Sequence, residues 1–553
     1  MLKVIQFFLT SSSASRKTQT MLLGAICLSL MGGLANIALL AIVTGILSGK
    51  ANFSAGFIFA LLGLGTFLGI TRGGAQYLLT KVTIDTLVLL RMSFCEKVTS
   101  APLAVLERLG GSKLIAVFTE SMPAISNALA QLPNVVLYTM VAAGSIAYMA
   151  WLSPKALLVI LTAGPIFVFS YRAVNKRAQK EFGTAFTHYR AVLKGFRELV
   201  DGAKELKLHR ARRKAHLSSA IGKPMDGLAR HRIKSSFLYG AAEAWSTTGM
   251  FFAIAAILVV AHSQREVGTG FVLSLLYLMP FVQGVLSTLP HFSQAQSAIK
   301  VLGDLTGELA QYSDVTDSQA TFTDPSWENI ALNAIEYRYD TGDPDSSFRI
   351  GPVDLTIHSK EIVFITGGNG SGKTTLIKVL SGLYQPQAGT ITVDGATVAE
   401  ADRDNYRQRF SSVFFDFHLF DELYGLSNID GPAAEYLKHL RLDHKVRIAD
   451  GKLSTISLSQ GQKKRLALLT AYLEDRPVYI FDEWAADQDI EFREFFYYEI
   501  LSGLKRRNKT VVVISHDDRY FHLADRLIKL ECGRVAEKNT DQIHEEQFSF
   551  SVN

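Results

Sequence analysis

Six apolar stretches, each about long enough to cross a lipid bilayer, lie within the first 289 residues of this 553-residue chain. A transmembrane helix needs roughly 20 residues to cross a hydrocarbon core about 30 Å thick. The stretches cover residues 21–47, 53–71, 133–152, 154–171, 237–262 and 270–289. One such stretch alone is also compatible with a buried core helix, but six in one half of the chain predict an all-α transmembrane domain.

The charged residues divide the chain in the same way. Residues 1–319 contain 30 Lys and Arg against 15 Asp and Glu, a net charge of +15, whereas residues 320–553 contain 27 against 36, a net charge of −9. A basic, apolar half followed by an acidic half is typical of a membrane domain joined to a cytoplasmic domain. We therefore expect a transmembrane domain over residues 1–299, a polar, irregular linker over 300–329 and a second domain over 330–553.

The basic residues of the first half are concentrated in two long segments between the predicted spans. Residues 172–234 contain 17 Lys and Arg against five acids, whereas the connections after spans one, three and five carry one basic residue each, Lys50, Lys155 and Arg265. Lys and Arg accumulate in cytoplasmic loops. We therefore expect a multi-pass membrane protein with both termini in the cytoplasm, and basic loops that face anionic lipid rather than nucleic acid.

The two long segments, residues 73–131 and 172–236, keep apolar residues at helical spacing. The second segment shows this at Val192, Phe196, Leu199 and Leu206. We expect paired helices of about 25 residues that extend the spans by about 38 Å. Residues 1–15 have an apolar patch too short for a secretory signal peptide, and favour a short amphipathic helix on the membrane surface.

Few polar residues interrupt the predicted spans. Glu243 lies near the inner end of span five, His291 follows span six, and Asn36 and Gln283 lie within spans one and six. Intramembrane acids are functional candidates, and a hydrated mouth of the bundle is the alternative for Glu243. Asn36 and Gln283 either line a polar cavity or pack between helices.

A glycine-rich loop lies between a predicted strand, residues 362–366, and a predicted helix that begins at Lys373. It fits the pattern G-x-x-x-x-G-K-[ST] in the context that this motif requires. Glycines let backbone N–H groups close on phosphate oxygens, the helix N-terminus favours negative charge, and the lysine and threonine supply a cation and a hydroxyl for Mg²⁺. The candidate nucleotide-binding residues are Gly367, Asn369, Gly370, Gly372, Lys373, Thr374 and Thr375.

Two later apolar runs end in ionisable residues. Residues 478–481 are followed by Asp482 and Glu483, and residues 511–515 are followed by His516. Beside a phosphate-binding loop, Asp482 is suited to hold Mg²⁺ through water, Glu483 to polarise an attacking water, and His516 to hydrogen-bond a γ-phosphate. A helix cap is the alternative for the Asp-Glu pair. Apolar strands alternating with helices predict a parallel sheet covered by helices.

The run Leu458-Ser459-Gln460-Gly461-Gln462 precedes a basic helix that begins at Lys463. A serine hydroxyl, a glycine amide and a helix N-terminus converge there on a point suited to an anion. The order of P-loop, L-S-x-G-Q, Asp-Glu strand and histidine strand resembles the ATP-binding cassette (ABC) transporter superfamily. The whole chain resembles an ABC exporter half-transporter: an all-α six-helix transmembrane domain followed by an α/β P-loop nucleotide-binding domain.

This resemblance implies further roles. In such cassettes two subunits hold two ATP molecules, each between the P-loop of one subunit and the L-S-x-G-Q run of the other. Ser459, Gly461 and Gln462 are therefore expected to contact ATP across a homodimer or close heterodimer. Tyr339 resembles the aromatic residue that stacks on adenine, with a core strand tyrosine as the alternative. Residues 102–109 and 198–206 resemble the coupling segments that press on the cassettes.

Two positions depart from the usual exporter pattern. Phe415 stands where a glutamine usually senses Mg²⁺ and water, and Asp416 is a candidate substitute as a metal or water contact. After Glu483 the usual Pro-Thr-Ser-Ala-Leu-Asp becomes Trp-Ala-Ala-Asp-Gln-Asp, with Asp489 in the place of the last aspartate. Both departures resemble the bacterial exporters of cyclic peptides and siderophore precursors, the pyoverdine and syringomycin type.

The resemblance implies a bacterial inner-membrane exporter that couples hydrolysis of ATP, with Mg²⁺, to outward movement of a peptide-like metabolite such as a siderophore precursor, lipopeptide or microcin. The expected partners are a second copy of the chain, the cargo and membrane lipid, but no nucleic acid. A lipid or multidrug exporter is the alternative in the same class. A soluble ABC ATPase would lack the spans at 21–289, and a non-hydrolysing channel or regulator would not depend on Glu483.

Overall fold

The computed structural model describes residues 16–47, 55–152, 154–260, 265–310, 326–339, 348–426 and 429–537. They form two compact units, one within residues 1–91 and 117–302 and the other within residues 92–116 and 303–553. The first unit is helical, and the second contains all the sheets of the described residues. The surface helix predicted at residues 1–15 lies outside the described residues.

Long helices account for most of the first half of the chain. They are Arg16–Leu47, Ala55–Thr99, Leu132–Leu152, Pro154–Asp201, Lys223–Val260 and Arg265–Ala310. Shorter helices lie between them at Leu103–Leu109, Gly111–Ala116, Met122–Ala130, Ala203–Leu208 and Arg210–Ala215, with π-helical segments at Val117–Ser121 and His216–Gly222.

Five of the six predicted spans lie in helical stretches that are long and apolar enough to cross a membrane. These stretches are Thr18–Ile46, Ala55–Thr99, Lys113–Leu152, Arg210–Val259 and Gly270–Leu309. The fourth predicted span, residues 154–171, is the beginning of the helix Pro154–Asp201. Several of its side chains lie outside the described residues, so this span stays a prediction.

The predicted helical extensions beyond the spans are confirmed. Ala55–Thr99 has 45 residues and Pro154–Asp201 has 48. At 1.5 Å per residue each is about 70 Å long, more than twice the thickness of the hydrocarbon core. Of the four apolar residues that predicted the second extension, Val192 and Leu206 are buried, and the other two are exposed.

The predicted linker at residues 300–329 is not irregular at its start. The helix Arg265–Ala310 continues through this segment to Ala310. Leu302 and Leu309, at positions i and i+7, share one helical face, and both are buried. This apolar face extends the helix despite the polar composition around it. Residues 311–325 lie outside the described residues.

Twelve strands occur in the described part of the second unit. In chain order they are β1 (Asn329–Arg338), β2 (Arg349–His358), β3 (Ile362–Thr366), β4 (Ala388–Val393), β5 (Ala396–Thr397), β6 (Phe410–Val413), β7 (Ile448–Ala449), β8 (Lys452–Leu453), β9 (Val478–Asp482), β10 (Thr510–Ile514), β11 (Arg526–Glu531) and β12 (Arg534–Glu537). Half of them lie outside the parallel sheet. Four form an antiparallel sheet with the order β2-β1-β4-β5, which was not predicted from the sequence, and β7 pairs with β8.

The other six strands form the predicted parallel sheet. Their order is β12-β11-β3-β10-β9-β6, and every neighbouring pair is parallel except β11–β12. β3, β9 and β10 match the predicted strands to within one residue at each end. Because these three strands are parallel neighbours, their carboxyl ends meet at one edge of the sheet, where ligands of open α/β sheets bind.

Helices cover both faces of the parallel sheet. They include Lys373–Leu380, Arg403–Arg407, Asp430–His439, Gln460–Glu474, Ile490–Glu494 and Leu501–Arg506, with a π-helical segment at Phe495–Ile500. Every residue of β9 and β10 is buried, as expected for parallel strands covered on both sides. The helix predicted from Lys373 is confirmed and begins at that residue.

An aromatic cluster packs at the end of β9. Trp484 stacks on Phe496 with ring centroids 4.5 Å apart, Phe481 meets Phe496 edge-on at 5.2 Å, and Phe492 lies 6.1 Å from Trp484. None of the four side chains is more than 1% exposed. The cluster therefore anchors the turn that follows β9 to the helical layer.

Truncation of Phe496 tests this packing. Phe496→Ala empties a fully buried position, and we expect it to lower the free energy of unfolding by about 3–5 kcal/mol. Tyr498→Ala truncates an aromatic side chain that is 47% exposed, and should change the free energy of unfolding by less than about 1 kcal/mol. Denaturant unfolding of the full-length protein, followed by tryptophan fluorescence, checks both values. Equal losses in the two variants would contradict the assignment of the cluster as core.

Candidate functional site

The candidate site lies where the carboxyl ends of β3, β9 and β10 meet. β3 leads into the glycine-rich loop, called the P-loop below, β9 ends at Asp482 and is followed by Glu483, and β10 is followed after one residue by His516. The three motifs that the sequence places far apart therefore leave the sheet at neighbouring points.

The P-loop wraps around its own lysine. The Lys373 ammonium group donates hydrogen bonds to the carbonyl oxygens of Gly367 and Gly368, both at 3.0 Å. Gly372, immediately before the helix, has a φ of 101°, and a Cβ there would lie 2.6 Å from the side chain of Ile350. Only glycine fits this turn without strain, which explains the residue type at that point of the motif.

Two observations show that the loop fits a phosphate group. The Ser371 hydroxyl is buried and has no hydrogen-bond partner among the described residues, so a buried polar atom is available to a ligand. Asn369 and Gly370 are exposed, and the N-terminus of the helix Lys373–Leu380, where backbone N–H groups favour an anion, lies directly after them.

The electrostatic environment of Lys373 is set by burial and by two carboxylates. Burial lowers the pKa of the Lys373 ammonium group, and the negative charges of Glu483 and Asp482 act in the opposite direction. A further anion bound at the loop would favour the charged form of the lysine in the same way as these carboxylates.

Thr374 and Asp482 meet within the site. The Thr374 hydroxyl donates a hydrogen bond of 3.1 Å to the Asp482 carboxylate. Burial raises the pKa of Asp482, the hydrogen bonds from Thr374 and from the backbone N–H of Phe415 lower it, and the negative charges of Glu483 and Asp416 raise it. A cation bound beside Asp482 would strongly favour the charged form of this buried carboxylate.

The hydroxyl of Thr374 and the carboxylate of Asp482 fit Mg²⁺, which usually takes one or two carboxylates and completes its shell with water and substrate phosphates. Among the described residues, no group of three or more His, Cys, Asp and Glu side chains is placed to hold a metal by itself. Asp416 is exposed, and its role as a metal contact stays a prediction.

Glu483 and His516 form a hydrogen-bonded pair. Glu483 Oε1 and His516 Nε2 are 3.1 Å apart, and both side chains are partly exposed. Glu483 has a φ of 48°, a left-handed conformation that is uncommon for residues other than glycine. Its backbone N–H donates to the carbonyl of Ile514 at 3.1 Å. The sequence analysis pairs the histidine with phosphate and misses this contact with the glutamate.

The run 458–462 begins the helix Gln460–Glu474, called the signature helix below. Ser459 caps it: the Ser459 hydroxyl accepts from the Gln462 backbone N–H at 3.4 Å, and the Gln462 side chain accepts from the Ser459 N–H at 3.3 Å. A Cβ on Gly461 would lie 2.7 Å from the carbonyl oxygen of Asp487. Among the described residues of this chain, no hydrogen bond joins Ser459, Gly461 or Gln462 to the P-loop.

Tyr339 lies one residue beyond β1 and is half-buried. Its hydroxyl is 3.1 Å from the hydroxyl of Thr375 in the P-loop helix. Its ring meets Tyr337 and Tyr384 edge-on, with centroids 5.4 and 5.9 Å away. Tyr339 packs against the core cluster that contains Tyr337 and Tyr384, so the core alternative stays open beside adenine stacking, which stays a prediction.

One contact near the P-loop helix was missed by sequence reasoning. The helix Leu103–Leu109, part of the predicted coupling segment, belongs to the same compact unit as the sheets. The Glu107 carboxylate accepts hydrogen bonds from the Tyr384 hydroxyl and from the Lys378 ammonium group, the latter at 3.0 Å. Lys378 interrupts the apolar end of the P-loop helix and is buried. A lysine in such a run signals a buried charge that needs a partner.

The two departures from the usual exporter pattern have defined positions. The Phe415 ring centroid lies 5.2 Å from the Lys464 ammonium group. Asp489 caps the helix Ile490–Glu494 by accepting from the Phe492 N–H at 2.8 Å, and pairs with Arg465 at 2.8 Å. The hydrogen bond from the Phe492 backbone lowers the pKa of Asp489, and that from Arg465 lowers it further.

The helical unit contains a cavity of about 1140 Å³. Three polar residues that the sequence analysis singles out, Glu243, Gln283 and His291, lie in its lining, together with the ion pair of Glu120 and Arg190. Asn36 does not line it. Asn36 is buried and accepts a hydrogen bond from the Tyr277 hydroxyl, so the packing interpretation applies to it.

Two protein families match the chain in the order of its two halves. The family described as ABC transporter transmembrane region matches residues 21–283, and the family described as ABC transporter matches residues 350–486. The first match covers the helical spans. The second covers the P-loop, the signature helix and the Asp482-Glu483 pair.

Whole-chain comparisons agree with these matches. The ATP-binding protein SyrD of Pseudomonas syringae pv. syringae is 35% identical over 528 residues, 92% of this chain and 92% of that protein. The ATP-dependent lipid A-core flippase of Ralstonia nicotianae is 25% identical over 509 residues, 87% of this chain and 83% of that protein. The fold is that of a bacterial Atm1-family ABC exporter solved with ATP bound, with a TM-score of 0.76 at 16% identity over 97% of this chain and 98% of the other. The chain therefore belongs to the ABC transporters, as an exporter half-transporter of the inner membrane with one transmembrane region and one ATP-binding cassette.

Proposed function

We propose that this protein hydrolyses ATP, with Mg²⁺, to drive export of a peptide-like metabolite across the bacterial inner membrane. One observation carries the ATP-driven part: a buried lysine, a threonine–aspartate pair and a glutamate–histidine pair share one edge of the sheet. Membership of the ABC transporters supports the same conclusion, because the cassette family matches this part of the chain.

Binding and hydrolysis use different parts of the site. ATP with Mg²⁺, when bound, supplies the phosphoanhydride bond and the charge neutralisation that hydrolysis requires. Lys373 and the P-loop N–H groups hold phosphate oxygens, and Tyr339 stacks on adenine. Thr374 and Asp482 hold the metal, with Asp416 as a further candidate contact. Together these residues fix the nucleotide in one orientation.

Glu483 is the proposed general base. Its carboxylate is within hydrogen-bonding distance of His516, and only partly buried, so it is accessible to a water molecule. A general base accepts a proton from the attacking water as the new bond to the γ-phosphorus forms and the bond to the bridging oxygen breaks, with ADP as the leaving group. The hydrogen bond from His516 supports this role because it holds the carboxylate in one direction, and contact of His516 with the γ-phosphate is a further part of the proposal.

Each site needs a second copy of the chain. Ser459, Gly461 and the N-terminus of the signature helix form an anion-binding group that no hydrogen bond among the described residues connects to the P-loop of the same chain. We propose that this group contacts ATP held by the partner in a homodimer. ATP then drives the cycle because it binds the closed pair of cassettes better than the open pair.

The cavity of the helical unit supports a peptide-like cargo. Its volume of about 1140 Å³ slightly exceeds the range of about 300–1,000 Å³ usual for small-molecule pockets. Aromatic rings and amide side chains line it together, among them Phe182, Phe186, Asn175, Gln179, Gln283 and Gln294. Peptides offer both apolar surface and hydrogen-bonding amides to such a lining, whereas acyl chains offer apolar surface alone. The greater identity to SyrD than to the flippase supports the same choice.

Glu483→Gln tests the role of ATP hydrolysis. The amide cannot accept the proton of the attacking water, so we expect ATP turnover to fall by at least about 100-fold, with ATP binding unchanged. Cargo transport into inverted membrane vesicles, whose lumen corresponds to the outer side of the membrane, should be lost in parallel. The exposed Glu499 provides the control, because Glu499→Gln should keep full turnover and export. Export that persists in Glu483→Gln would support a channel or regulator instead.

A second experiment tests the cargo class. We expect cyclic peptides to stimulate the ATPase of the protein in lipid nanodiscs, and lipid A to have no effect at the same concentration. Gln283→Leu removes one amide from the cavity lining. It should raise the peptide concentration that gives half-maximal stimulation about fivefold, which corresponds to the loss of one hydrogen bond. The ATPase rate without peptide should be unchanged. Stimulation by lipid A alone would favour the lipid exporter.

Glu107 is the proposed point at which the membrane helices act on the nucleotide site. The helix Leu103–Leu109 follows the long helix Ala55–Thr99 in the chain. Its Glu107 binds Lys378, which lies on the same helix as Lys373 and Thr374. Tyr384, the other partner of Glu107, stacks on Tyr337 at 4.7 Å. A movement of residues 103–109 would therefore be transmitted to the P-loop helix.

Glu107→Ala tests this coupling. We expect ATP turnover to persist, while the number of cargo molecules exported per ATP falls at least about fivefold. A change of about fivefold is the lower end of the effects that ordinary coupling free energies produce. Glu96→Ala, which truncates an exposed acid in the preceding long helix, is the matched control. Transport and ATPase rates measured together in proteoliposomes give the ratio. An unchanged ratio, or an equal loss in Glu96→Ala, would rule out this role for Glu107.

A further inference from the structure

Lys464 is a lysine with a side chain that is 0% exposed, on the signature helix. Removal of an ammonium group from water is costly unless hydrogen bonds and an opposite charge offset it. The proposed reaction cycle gives this residue no role. Its partners therefore indicate what the buried charge does.

Three groups surround the Lys464 ammonium. It donates a hydrogen bond of 2.8 Å to the carbonyl oxygen of Glu483, pairs with the Asp487 carboxylate at 2.7 Å, and lies 5.2 Å from the Phe415 ring centroid. The backbone of Lys464 is held as well, since the Trp484 indole N–H donates to its carbonyl at 2.9 Å. Lys464 thus ties the signature helix to the residues that follow β9.

The contact with Glu483 bears on the direction of its side chain. Glu483 keeps a left-handed φ of 48°, a conformation that persists only where surrounding contacts fix it. Its N–H donates to the Ile514 carbonyl, and its C=O accepts from the Lys464 ammonium group at 2.8 Å and, at the longer distance of 3.3 Å, from the Ala486 N–H. Both peptide groups that flank the Cα of Glu483 are therefore held, and the Cα–Cβ bond that carries the carboxylate can point in one direction only.

The residues around Lys464 coincide with the departures from the usual exporter pattern. Phe415 replaces the expected glutamine, and Trp484 and Asp487 belong to the altered run after Glu483. All three contact Lys464 directly. One buried cation therefore connects changes that lie about 70 positions apart in the sequence.

We propose that Lys464 is a positioning residue for hydrolysis: it holds the backbone carbonyl of Glu483 and so directs the Glu483 carboxylate toward His516 and the attacking water. This inference rests on the proposed role of Glu483 as general base. The ion pair with Asp487 and the Phe415 ring hold the ammonium group in place, and the hydrogen bond to the Glu483 carbonyl carries the effect on catalysis.

The test compares two variants of the full-length protein in nanodiscs. Lys464→Met keeps the length of the side chain and removes the hydrogen bond to Glu483. Asp487→Asn removes the ion pair and keeps that hydrogen bond. We expect Lys464→Met to lower kcat at least about tenfold, as a displaced catalytic group does, with KM for ATP changed less than twofold. Asp487→Asn should lower kcat less than threefold.

A matched control accounts for the loss of a partly buried lysine. Lys509 also donates to a backbone carbonyl, that of Asp475 at 2.9 Å, and pairs with the Asp475 carboxylate at 3.0 Å. Lys509→Met should therefore lower Tm without lowering kcat. Hydrogen exchange gives a readout independent of turnover. The backbone amides of residues 483–489 should exchange faster in Lys464→Met, and their exchange rates should be unchanged in Lys509→Met.

The double variant Lys464→Met/Asp487→Asn separates positioning from stability. It leaves no unpaired charge, so its Tm should rise above that of Lys464→Met, while kcat stays low because the Glu483 carbonyl keeps only the longer bond from the Ala486 N–H, at 3.3 Å. Recovery of kcat together with Tm would overturn the proposal, as would equal kcat losses in Lys464→Met and Asp487→Asn.

The outcomes also distinguish this proposal from the role of Glu483 itself. Loss of turnover in Glu483→Gln with normal turnover in Lys464→Met would overturn only the positioning role. Normal turnover in Glu483→Gln would show that Glu483 is not the general base, and would thereby also overturn the positioning role of Lys464.

Discussion

The parallel pairing of β3, β10 and β9 is the constraint on which the cassette depends. It places Ile365 beside Ile514 and Ile514 beside Asp482. Neighbouring strands lie about 4.8 Å apart, so three loops that are distant in sequence emerge within the width of one nucleotide. A register shift of one residue would turn every side chain to the other face. Because every residue of β9 and β10 is already buried, such a shift would bury no additional apolar surface. It would also force the helices on both faces to repack around side chains of other shapes.

Buried lysines connect the site to the segments around it. Lys373 binds the carbonyls of its own loop, Lys378 binds Glu107, and Lys464 binds the backbone of Glu483. Each costs desolvation energy that an apolar residue would avoid. Lys373 closes its own loop, whereas Lys378 and Lys464 join segments that are distant in the sequence. The side chain has a long reach and three donors, so it can fix a backbone carbonyl and a carboxylate together. Rigid links of this kind let a displacement in one segment reach another.

The sequence predicts most of the fold and the local motifs but few of the contacts between them. The P-loop, the strand that ends at Asp482 and the long helices follow from periodicity and spacing, which are local properties. The antiparallel sheet was missed because register shifts in β1 interrupt the alternation of buried and exposed residues that marks a strand. The bonds from Glu107 to Lys378 and from His516 to Glu483 join residues 271 and 33 positions apart. Only the folded topology brings these together, although a lysine inside an apolar helix signals that such a partner exists.

Net charge predicts the membrane topology of this chain, but taken alone it would predict the wrong sign for the charge of its ligand. The acidic half, at −9, is the half that is proposed to bind a polyanion. Exposed charges are screened beyond about 8–10 Å at physiological ionic strength, so acids elsewhere on the surface contribute little at the P-loop. The potential there is set by Lys373 and by a helix N-terminus, and Mg²⁺, when bound, would change the sign of the field around Asp482. The +15 of the other half acts differently, because its basic residues lie in the segments between spans, where an excess of Lys and Arg favours the cytoplasmic side of the membrane. The same residue types therefore decide orientation in one half of the chain, and only short-range recognition in the other.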